Sequence, residues 1–343
     1  MSSFYLIPDF LDAAFWKSPQ IDAFDDKSRQ LIERMKHTAL AARAQGTVEG
    51  YQRALNRWKI FATQTLQVQS FPVSPLHFAM YLQFLLEESD SVSSINTVFY
   101  AVNWAHKLAG LDSPTDHSSV IMIKEGAVRM CSSKSKRKEP LEVEHLRALL
   151  DKTNSEDLLQ LRNLVMCVIS FSGFLRSSEL LELRRNDIQF YTDHMSIYIY
   201  KSKTDQLREG KTLVISATGS DLCPVKLLQL YLARAEIKET SSEFIFRPIT
   251  SSKSNKKLVS VNKHISYSTY RESFKKSFRG IVEDINQYST QSGRSGGATI
   301  AVNAGVGERH FQRHGRWKTE KAKNMYIKDS VESRLMVSSK LGL

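Results

Sequence analysis

The 343-residue chain is 41% apolar and 24% charged, which predicts a soluble globular protein long enough for two domains. Its formal net charge of +12 favours a polyanionic partner, DNA or RNA, although a basic surface that only aids solubility explains the charge equally well. The three widely spaced cysteines match neither a zinc site nor a disulfide framework, and no apolar run approaches the roughly 20 residues that span a bilayer, so no membrane association is expected.

The amino-terminal half of the chain predicts a compact bundle of helices. Residues 1–27 show little periodicity and are expected to form a loose arm. Stretches with helical apolar spacing follow within residues 28–130. Their predicted boundary signals are a Thr47 cap, a Ser74 cap followed by Pro75 in the first turn, and a stop at Gly110.

A basic linker is predicted at residues 131–140. Its sequence, CSSKSKRKEP, combines small polar residues with a final proline, a composition typical of a connection between domains. Contact with DNA phosphates, recognition as a nuclear-import signal and simple solvation explain its positive charge equally well. The basic side chains concerned are Lys134, Lys136, Arg137 and Lys138.

Residues 141–343 predict a second, mostly helical domain with one small β-sheet. Two amphipathic helices come first, and the second is expected to begin at a Ser155 cap and to end at Gly173. Alternating apolar residues in MSIYIYKSK and KTLVIS then predict a β-hairpin or short sheet over about 187–216. Helices resume after the sheet, so the expected fold class is mainly α with a small antiparallel β-sheet.

Arg176 and Glu179 form the first candidate pair for anion chemistry. They lie in GFLRSSE, where Gly173 can end one helix and Arg176 begins the next. A guanidinium group at that junction lies over exposed helix N–H groups, which attract anions. The plainer alternative is a surface arginine paired with Glu179 one turn further on.

Four further residues have chemistry suited to a phosphate. Lys201 and Lys203 lie near the expected hairpin turn, where an ammonium group can reach a bound phosphate or protonate a leaving oxygen. Arg294 lies in QSGRSGGAT, and the glycines there permit either close approach of a phosphate backbone or tight helix packing. Tyr326 is either a packing aromatic or a nucleophile, the latter only if cations stabilise its attack on a phosphodiester.

Together these residues resemble the tyrosine recombinase, or phage integrase, family in order and spacing. The family pattern has an arginine in a GxRxxE-like turn, a β-hairpin lysine, a His-x-x-Arg motif, a His or Trp, and a nucleophilic tyrosine nine residues later. The matching residues are Arg176, Lys203 with Lys201 in reserve, Arg294, Trp317 and Tyr326, with Glu179 as the acidic residue that supports the arginines. Gln291 departs from the pattern, because it stands where the family has its histidine and its amide cannot accept a proton.

The resemblance implies a two-domain architecture, with a helical core-binding domain at 28–130 that binds DNA and an α+β catalytic domain at 141–343. It implies a site-specific recombinase or integrase that cleaves and rejoins double-stranded DNA through a 3′-phosphotyrosine intermediate, with no metal or other cofactor. It also implies a homotetramer on two duplexes, in which the tail after Tyr326 either docks on a neighbouring protomer or packs in cis. The phrases RSGGAT, NAGV and RHGRW look most like the eukaryotic DIRS and Ngaro branch, which implies a transposable element acting in the nucleus.

Two arginines and two histidines lie close together near the carboxyl end of the chain, at positions 310–316. Arg313 and Arg316 are predicted to contact DNA. The i, i+4 spacing of His310 and His314 is compatible with two metal ligands on one helix face. The neighbouring arginines would repel a cation and no third ligand is near in sequence, so no metal site is predicted.

Three other functions fit parts of the sequence. The first is a DNA-binding protein that keeps the recombinase fold but has lost cleavage, and Gln291 in place of the family histidine is the residue that points to it. A type IB topoisomerase-like enzyme would share the chemistry but relax supercoils as a monomer. A helical scaffold that binds proteins would show no salt-dependent affinity for DNA. Gln291 itself is expected to slow the chemistry without abolishing it, because the arginine and lysine electrostatics are a separate contribution.

Overall fold

The structure is a computed structural model that describes residues 14–17, 21, 23–131, 137–200, 210–250, 256–328 and 331–341. Its internal contacts divide the chain into two compact units, Met1–Lys136 and Arg137–Leu343. This division falls inside the linker predicted at 131–140, while the finer domain boundaries stay predictions. Within those described ranges, no helix is both long and apolar enough to cross a membrane.

The first unit is helical. Each helix presents one apolar face to its neighbours, as helical spacing of apolar residues requires. In chain order the helices are α1 (Asp26–Ala41), α2 (Gln45–Ile60), α3 (Pro75–Ser89), α4 (Val92–Ala109) and α5 (Ser118–Met130).

Local signals explain where these helices begin and end. Ser74 is the N-cap residue of α3 and Pro75 takes the first helical position, as predicted. Gly110 ends α4 in a left-handed conformation with φ of +73°, which glycine adopts without strain. The Thr47 cap is wrong: α2 begins one turn earlier, after Ala44, because the Ala44 carbonyl already accepts backbone hydrogen bonds of the first turn.

Aromatic side chains build the core of the first unit. Trp58 packs against the rings of Phe78 and Tyr81, and burying a side chain of this size contributes about 2 kcal/mol. Trp16 is also buried and donates its indole N–H to the Leu108 carbonyl at 2.7 Å. Part of the segment predicted to be a loose arm therefore packs on this unit.

A buried histidine links two segments of the first unit. His106 Nε2 accepts the backbone N–H of Val73 at 3.0 Å, and His106 Nδ1 lies 2.9 Å from the Val102 carbonyl oxygen. Because Nε2 is the acceptor, the ring is neutral and carries its hydrogen on Nδ1. Burial lowers the pKa of His106, which stabilises this neutral form.

The second unit combines helices with one small sheet. Its elements in chain order are α6 (Val143–Asp151), α7 (Leu158–Ser172), α8 (Ser177–Leu181), β1 (Ile188–Phe190), β2 (His194–Ile199), β3 (Lys211–Ser216), α9 (Pro224–Arg234), α10 (Tyr267–Phe278), α11 (Ser292–Asn303), α12 (Glu308–Gly315), α13 (Glu320–Asn324) and α14 (Val331–Ser339). Most side chains of α7 are buried, which explains its continuous apolar sequence. The cap of α7 is Asp157 rather than the predicted Ser155, because the Asp157 carboxylate accepts two backbone N–H groups of the first turn.

The sheet is antiparallel in the order β1, β2, β3, within the range that alternating apolar residues predicted. Met195, Ile197 and Ile199 alternate along β2 and face the core, while the residues between them are half-buried. The predicted fold class, mainly α with a small antiparallel sheet, is confirmed. Lys201 and Lys203 fall between β2 and β3, outside the described residues.

Glycines in α11 allow this helix to pack closely on α7. A methyl group at Gly296 would overlap the Leu141 carbonyl oxygen, and one at Gly297 would overlap the Phe171 carbonyl oxygen. Of the two roles considered for the glycines of RSGGAT, the structure therefore supports tight packing. The contact brings the start of α11, with Arg294, beside the end of α7.

Candidate active site

Arg176 and Glu179 meet at the turn between α7 and α8. Arg176 is the N-cap residue of α8, and the Glu179 carboxylate accepts its backbone N–H at 2.9 Å and its Nη1 at 2.7 Å. The Glu179 side chain is 1% exposed and that of Arg176 is 12% exposed. The predicted pair is therefore an interior ion pair, and the alternative of an arginine on the open surface is wrong.

Glu179 lies among three guanidinium groups. Its Oε2 accepts a hydrogen bond from Arg316 Nη2 at 2.9 Å and lies 3.9 Å from Arg294 Nη1. Burial alone would raise the pKa of this carboxyl, but the charges of Arg316 and Arg176 hold that pKa below its usual value. The carboxylate is therefore ionised, and the three guanidinium groups around it leave two positive charges in excess.

Arg294 lies near the start of α11 with its side chain entirely inside the protein. Its Nη1 donates to the Phe174 carbonyl, its Nη2 donates to the Gly315 carbonyl at 2.8 Å, and its Nε has no partner. Burial lowers the pKa of this guanidinium, and the neighbouring charge of Arg176 lowers it further. An anion beside Arg294 would offset both effects, because it stabilises the charged form.

Trp317 and Tyr326 place their rings against the Arg294 guanidinium. Its central carbon lies 4.9 Å from the centroid of the Trp317 ring and 4.7 Å from that of Tyr326, within cation–π distance. The two rings lie 5.8 Å apart and pack in one cluster with Phe174 and Phe311. Residues that are distant in sequence thus meet at one place, where both rings cover the guanidinium.

Gln291 precedes α11 and faces the turn that carries Arg176. Its Nε2 donates to Ser177 Oγ at 3.3 Å, while its Oε1 is buried without a partner. Gln291 and Tyr326 line one open cleft together with Arg137 and other basic residues. A glutamine amide donates hydrogen bonds only through Nε2, which here is directed at Ser177, and it cannot take up a proton near neutral pH.

The residues predicted to contact DNA differ in exposure. Arg137, Lys138 and Arg313 are exposed. Arg316 corrects the prediction: its side chain is 3% exposed, and it donates to three backbone carbonyls as well as to Glu179. The buried carboxylate holds this arginine inside the protein, so it is not presented to a DNA backbone. The other predicted basic residues, Lys134, Lys136, Lys201 and Lys203, lie outside the described residues.

His310 and His314 do not share an environment. His310 is exposed, whereas the His314 ring packs edge-on against Phe174 with its Nε2 2.8 Å from the Ser172 carbonyl oxygen. Burial lowers the pKa of His314, in keeping with a neutral packed ring. In the part of the chain that the structure describes, no group of three or more His, Cys, Asp or Glu residues is placed to hold a metal ion.

Sequence reasoning missed two hydroxyl groups beside the site. Ser177 Oγ donates to Thr290 Oγ1 at 2.9 Å, although the residues are 113 positions apart in the chain. Each is next in sequence to a predicted site residue, Arg176 and Gln291 respectively. Adjacency to a candidate residue is the signal that sequence offered, and it does not show which hydroxyl groups will meet.

Buried polar atoms without partners concentrate at this site. Within the described ranges, half of the buried side-chain atoms that lack a hydrogen-bond partner belong to it, namely Gln291 Oε1, Arg294 Nε, Arg316 Nε and Trp317 Nε1. Buried polar groups are normally paired, because an unpaired one costs free energy. Three of these four atoms, Arg294 Nε, Arg316 Nε and Trp317 Nε1, are N–H donors, whereas Gln291 Oε1 is an acceptor.

Comparison with known proteins gives consistent matches. A model of the phage integrase family matches residues 139–333. The integrase/recombinase xerD homolog of Selenomonas ruminantium is 26% identical over 314 residues, covering 88% of this chain and 87% of that protein. Recombinase cre of Escherichia phage P1 is 23% identical over 274 residues, covering 76% of this chain and 77% of that protein. The Tn1549 transposon integrase in complex with transposon right end DNA shares the fold, with a TM-score of 0.60 and 15% identity over 88% of this chain and 95% of that chain.

Proposed function

Because the chain belongs to the phage integrase family, whose model matches residues 139–333, we propose that it cuts and rejoins double-stranded DNA at specific sites with Tyr326 as the nucleophile. The class predicted from the sequence, a tyrosine recombinase acting as a DNA strand transferase, is confirmed. The observation that carries the proposed chemistry is the buried cluster around Glu179. This cluster has an excess of positive charge, and the central guanidinium carbon of one of its arginines, Arg294, lies 4.7 Å from the centroid of the Tyr326 ring.

In the proposed reaction the Tyr326 oxygen attacks the scissile phosphorus and displaces the 5′ oxygen of the next nucleotide. A phosphorus–tyrosine bond forms as the bond to the 5′ oxygen breaks, which leaves a 3′-phosphotyrosine and a 5′-hydroxyl. Arg176 and Arg294 would bind the nonbridging oxygens, because charge-assisted donors stabilise the negative charge that develops there. The covalent link conserves the energy of the phosphodiester, so a 5′-hydroxyl of a second duplex can reverse the step without a cofactor.

Two protons move in this reaction. The phenol loses one, and we assign its uptake to solvent because the Gln291 amide cannot accept it. The departing 5′ oxygen gains the other, for which Lys203, with Lys201 in reserve, is the proposed donor outside the described residues. General-base help contributes about 10² to 10⁴-fold, and electrostatic stabilisation is a separate contribution, so we expect slow rather than absent cleavage.

The covered position of Arg294 implies that the site opens when DNA binds. The guanidinium is fully buried under the rings of Trp317 and Tyr326, so a phosphate oxygen has no path to it while both rings stay in place. Movement of Tyr326 away from the face of Arg294 would admit the phosphate and free the phenol oxygen for attack. Tyr326 is half-buried in a short segment after α13, whereas Trp317 is 4% exposed, so Tyr326 is the ring that we expect to move.

We propose that double-stranded DNA binds along the basic cleft beside Tyr326. The cleft is lined by Gln291, by the basic residues Arg137, Lys138, Lys328 and Arg334, and by Glu139, which is ion-paired with Lys328 and leaves the lining with an excess of positive charge. Contacts between such side chains and phosphates release counterions, so affinity should fall steeply with salt. Exposed Arg313 would add a contact of the same kind, and Arg313→Gln should weaken binding on every sequence and flatten the salt dependence.

Covalent trapping tests the proposed chemistry. The DNA would be a duplex selected from a randomised pool by the protein itself and nicked next to the cleavage point, so that the short cleaved strand diffuses away. We expect a covalent protein–DNA adduct with the natural chain and none with Tyr326→Phe, because phenylalanine has no nucleophilic oxygen. Tyr100→Phe, a change at an exposed tyrosine of the first unit, should leave the adduct unchanged.

The same assay separates the rival functions. A DNA-binding protein without cleavage, the alternative to which Gln291 points, would shift the selected duplex and form no adduct. A type IB topoisomerase-like enzyme would form the adduct but relax supercoiled plasmid as a monomer without preference for the selected site. A protein-binding scaffold would show no salt-dependent DNA affinity.

We also propose a homotetramer on two duplexes, held together through the tail. α14 leaves Leu335 and Met336 exposed, at 56% and 50%, and a neighbouring protomer would cover them. Replacement of both by serine should leave binding of one protomer to a half-site intact and prevent the four-protomer complex, measured by the mass of the assembly. Lys340→Ser is the matched control, and an unchanged mass for the double variant would contradict the proposal.

Finally, we propose that the chain belongs to the eukaryotic mobile-element branch of the DIRS and Ngaro type and acts in the nucleus. The phrases RSGGAT, NAGV and RHGRW support the branch, and the basic linker at 131–140 supports nuclear import. Serine in place of all the basic linker residues should move a fluorescent fusion from the nucleus to the cytoplasm of a eukaryotic cell. Nuclear accumulation that persists in that variant would contradict the import role.

A further inference from the structure

We propose that Ser177, Thr290 and Tyr267 are positioning residues, which turn the Gln291 amide so that its N–H groups face the scissile phosphate. The inference rests on the proposed function, because it concerns how Gln291 serves the position where the family has a histidine. The three hydroxyl residues act through Gln291 and make no contact with the reacting atoms themselves.

Four side chains form a hydrogen-bonded series that leads away from the site. Gln291 Nε2 donates to Ser177 Oγ at 3.3 Å, and Ser177 Oγ donates to Thr290 Oγ1 at 2.9 Å. Thr290 Oγ1 then donates to the Tyr267 hydroxyl at 3.4 Å, a weaker link. Ser177 is 5% exposed and Thr290 is 1% exposed, so they depend on each other for pairing, whereas Tyr267 is 52% exposed and reaches solvent.

In the structure each member of the series donates to the next, from Gln291 towards Tyr267, and this direction leaves the Gln291 carbonyl oxygen without a hydrogen-bond donor. Gln291 Oε1 is buried and has no hydrogen-bond partner. A carbonyl oxygen carries partial negative charge and no hydrogen, so it cannot bind a nonbridging phosphate oxygen. The Gln291 amide would therefore disfavour the proposed substrate if it kept this orientation.

Every link of the series can be reversed. A hydroxyl group both donates and accepts, and a half-turn of the amide exchanges Oε1 with Nε2. In the reversed series Tyr267 donates to Thr290, Thr290 donates to Ser177, and Ser177 donates to Gln291 Oε1. Nε2 then occupies the buried place that Oε1 holds in the structure, on a residue that lines the cleft.

Binding of a phosphate selects between the two directions. Without an anion, each direction leaves one buried amide group of Gln291 unpaired, so neither is strongly preferred. A phosphate oxygen accepts a hydrogen bond from Nε2 in the reversed series and is repelled by Oε1 in the other. The free energy of the phosphate contact therefore reverses the series, and the three hydroxyl groups hold the amide in the donating orientation.

A double-mutant cycle on DNA binding tests the inference without requiring cleavage. All variants would be made in the Tyr326→Phe chain and bound to the duplex that this chain selects from a randomised pool. We expect Ser177→Ala to weaken binding about fivefold, and Ser177→Thr, which keeps the hydroxyl group, to stay within about twofold. In a Gln291→Ala background Ser177→Ala should add less than about twofold, because no amide remains to be oriented. Ser178→Ala, at the exposed neighbouring serine, should change nothing.

Two further variants address the direction of the series. Tyr267 is exposed, so Tyr267→Phe should fold like the parent chain. Loss of the Tyr267 hydroxyl should weaken DNA binding about twofold, and only when Gln291 is present. Gln291→Glu offers oxygens alone and should bind DNA more weakly than Gln291→Ala. The inference would be overturned if Ser177→Ala weakened DNA binding equally in the parent chain and in the Gln291→Ala background. It would also be overturned if Gln291→Glu bound DNA as tightly as the parent chain. Failure of the proposed function would appear separately, as absence of the Tyr326-dependent adduct in the parent chain.

Discussion

Arg316 Nη2 donates a hydrogen bond to Glu179 Oε2 at 2.9 Å, although the two residues are 137 positions apart in the chain. The same carboxylate accepts the backbone N–H and the Nη1 of Arg176. Arg316 also adopts a left-handed backbone conformation, with φ of +58°, which costs a non-glycine residue free energy. The hydrogen bonds of the buried Arg316 guanidinium to Glu179 and to three backbone carbonyls offset that cost and join the end of α12 to the turn before α8.

Replacement of Arg316 should therefore act on stability. Arg316→Met keeps an apolar stem but removes the donors to Glu179 and to the backbone carbonyls. We expect the free energy of unfolding to fall by about 2–3 kcal/mol, because hydrogen bonds to a charged group are lost in the interior. Urea unfolding followed by tryptophan fluorescence would measure it, since buried Trp317 is the next residue.

Arg313 offers a matched control for this change. It lies in the last turn of α12 and is exposed, whereas Arg316 is buried. Arg313→Met should leave unfolding within about 0.5 kcal/mol of the natural chain and weaken DNA binding instead. The reverse pattern, with Arg316→Met affecting DNA affinity alone, would restore the original expectation that Arg316 contacts DNA.

The charge on Glu179 should make stability depend on pH in the acid range. Its pKa is lowered in the folded protein, where the effect of burial is outweighed by Arg316 and Arg176. The ionised carboxylate therefore contributes stability above its unfolded pKa of about 4.3, and that contribution is lost as pH falls through the folded pKa. Glu179→Gln should lower the free energy of unfolding by about 3 kcal/mol at pH 7.

Unfolding measured from pH 7 to pH 3 would check this relation. The difference between the natural chain and Glu179→Gln should stay constant at neutral pH and shrink below about pH 4, as the natural carboxylate takes up a proton. Glu182→Gln, at an exposed glutamate close by, should show little difference at any pH. A difference between the natural chain and Glu179→Gln that persists unchanged at pH 3 would mean that the charge of Glu179 is not the cause.

His106 predicts a separate pH dependence in the first unit. Burial lowers its folded pKa, and its Nε2 must stay unprotonated to accept the Val73 N–H. The stability that the neutral His106 ring contributes is therefore present above the ordinary histidine pKa of about 6.5, and it is lost as pH falls below that value. Hydrogen exchange at the Val73 amide, corrected for its intrinsic pH dependence, should accelerate between pH 7 and pH 5. His106→Gln should remove this acceleration, and an identical profile in the variant would refute the assignment.

Local rules were enough to predict much of the fold. Ser74 with Pro75 marked a helix start, Gly110 marked a helix end, and alternation around Ile197 marked the sheet. The helix starts at Thr47 and Ser155 were misplaced by a turn or less, because several adjacent residues can begin a helix and tertiary packing decides among them.

The site was predictable only where one short segment or the family pattern carries its chemistry. Arg176 and Glu179 lie one helical turn apart, so their pairing follows from spacing. The burial of Arg316 depends on a carboxylate from a distant segment, and exposure cannot be deduced from residue type when an interior partner is unknown. The cover that Tyr326 forms over Arg294 likewise depends on packing between α11 and the end of the chain.

Gln291→His should accelerate cleavage and leave DNA affinity within about twofold. An imidazole can take up the phenol proton that the natural amide cannot, and general-base help contributes about 10² to 10⁴-fold. Single-turnover formation of the Tyr326 adduct at saturating DNA would measure the rate, and a rate that rises with pH through the histidine pKa would identify the imidazole as the base. Gln291→Asn, a shorter amide, is the control and should not accelerate the reaction. An unchanged rate in the histidine variant would mean that residue 291 does not face the attacking oxygen, and its assignment as the counterpart of the family histidine would be wrong.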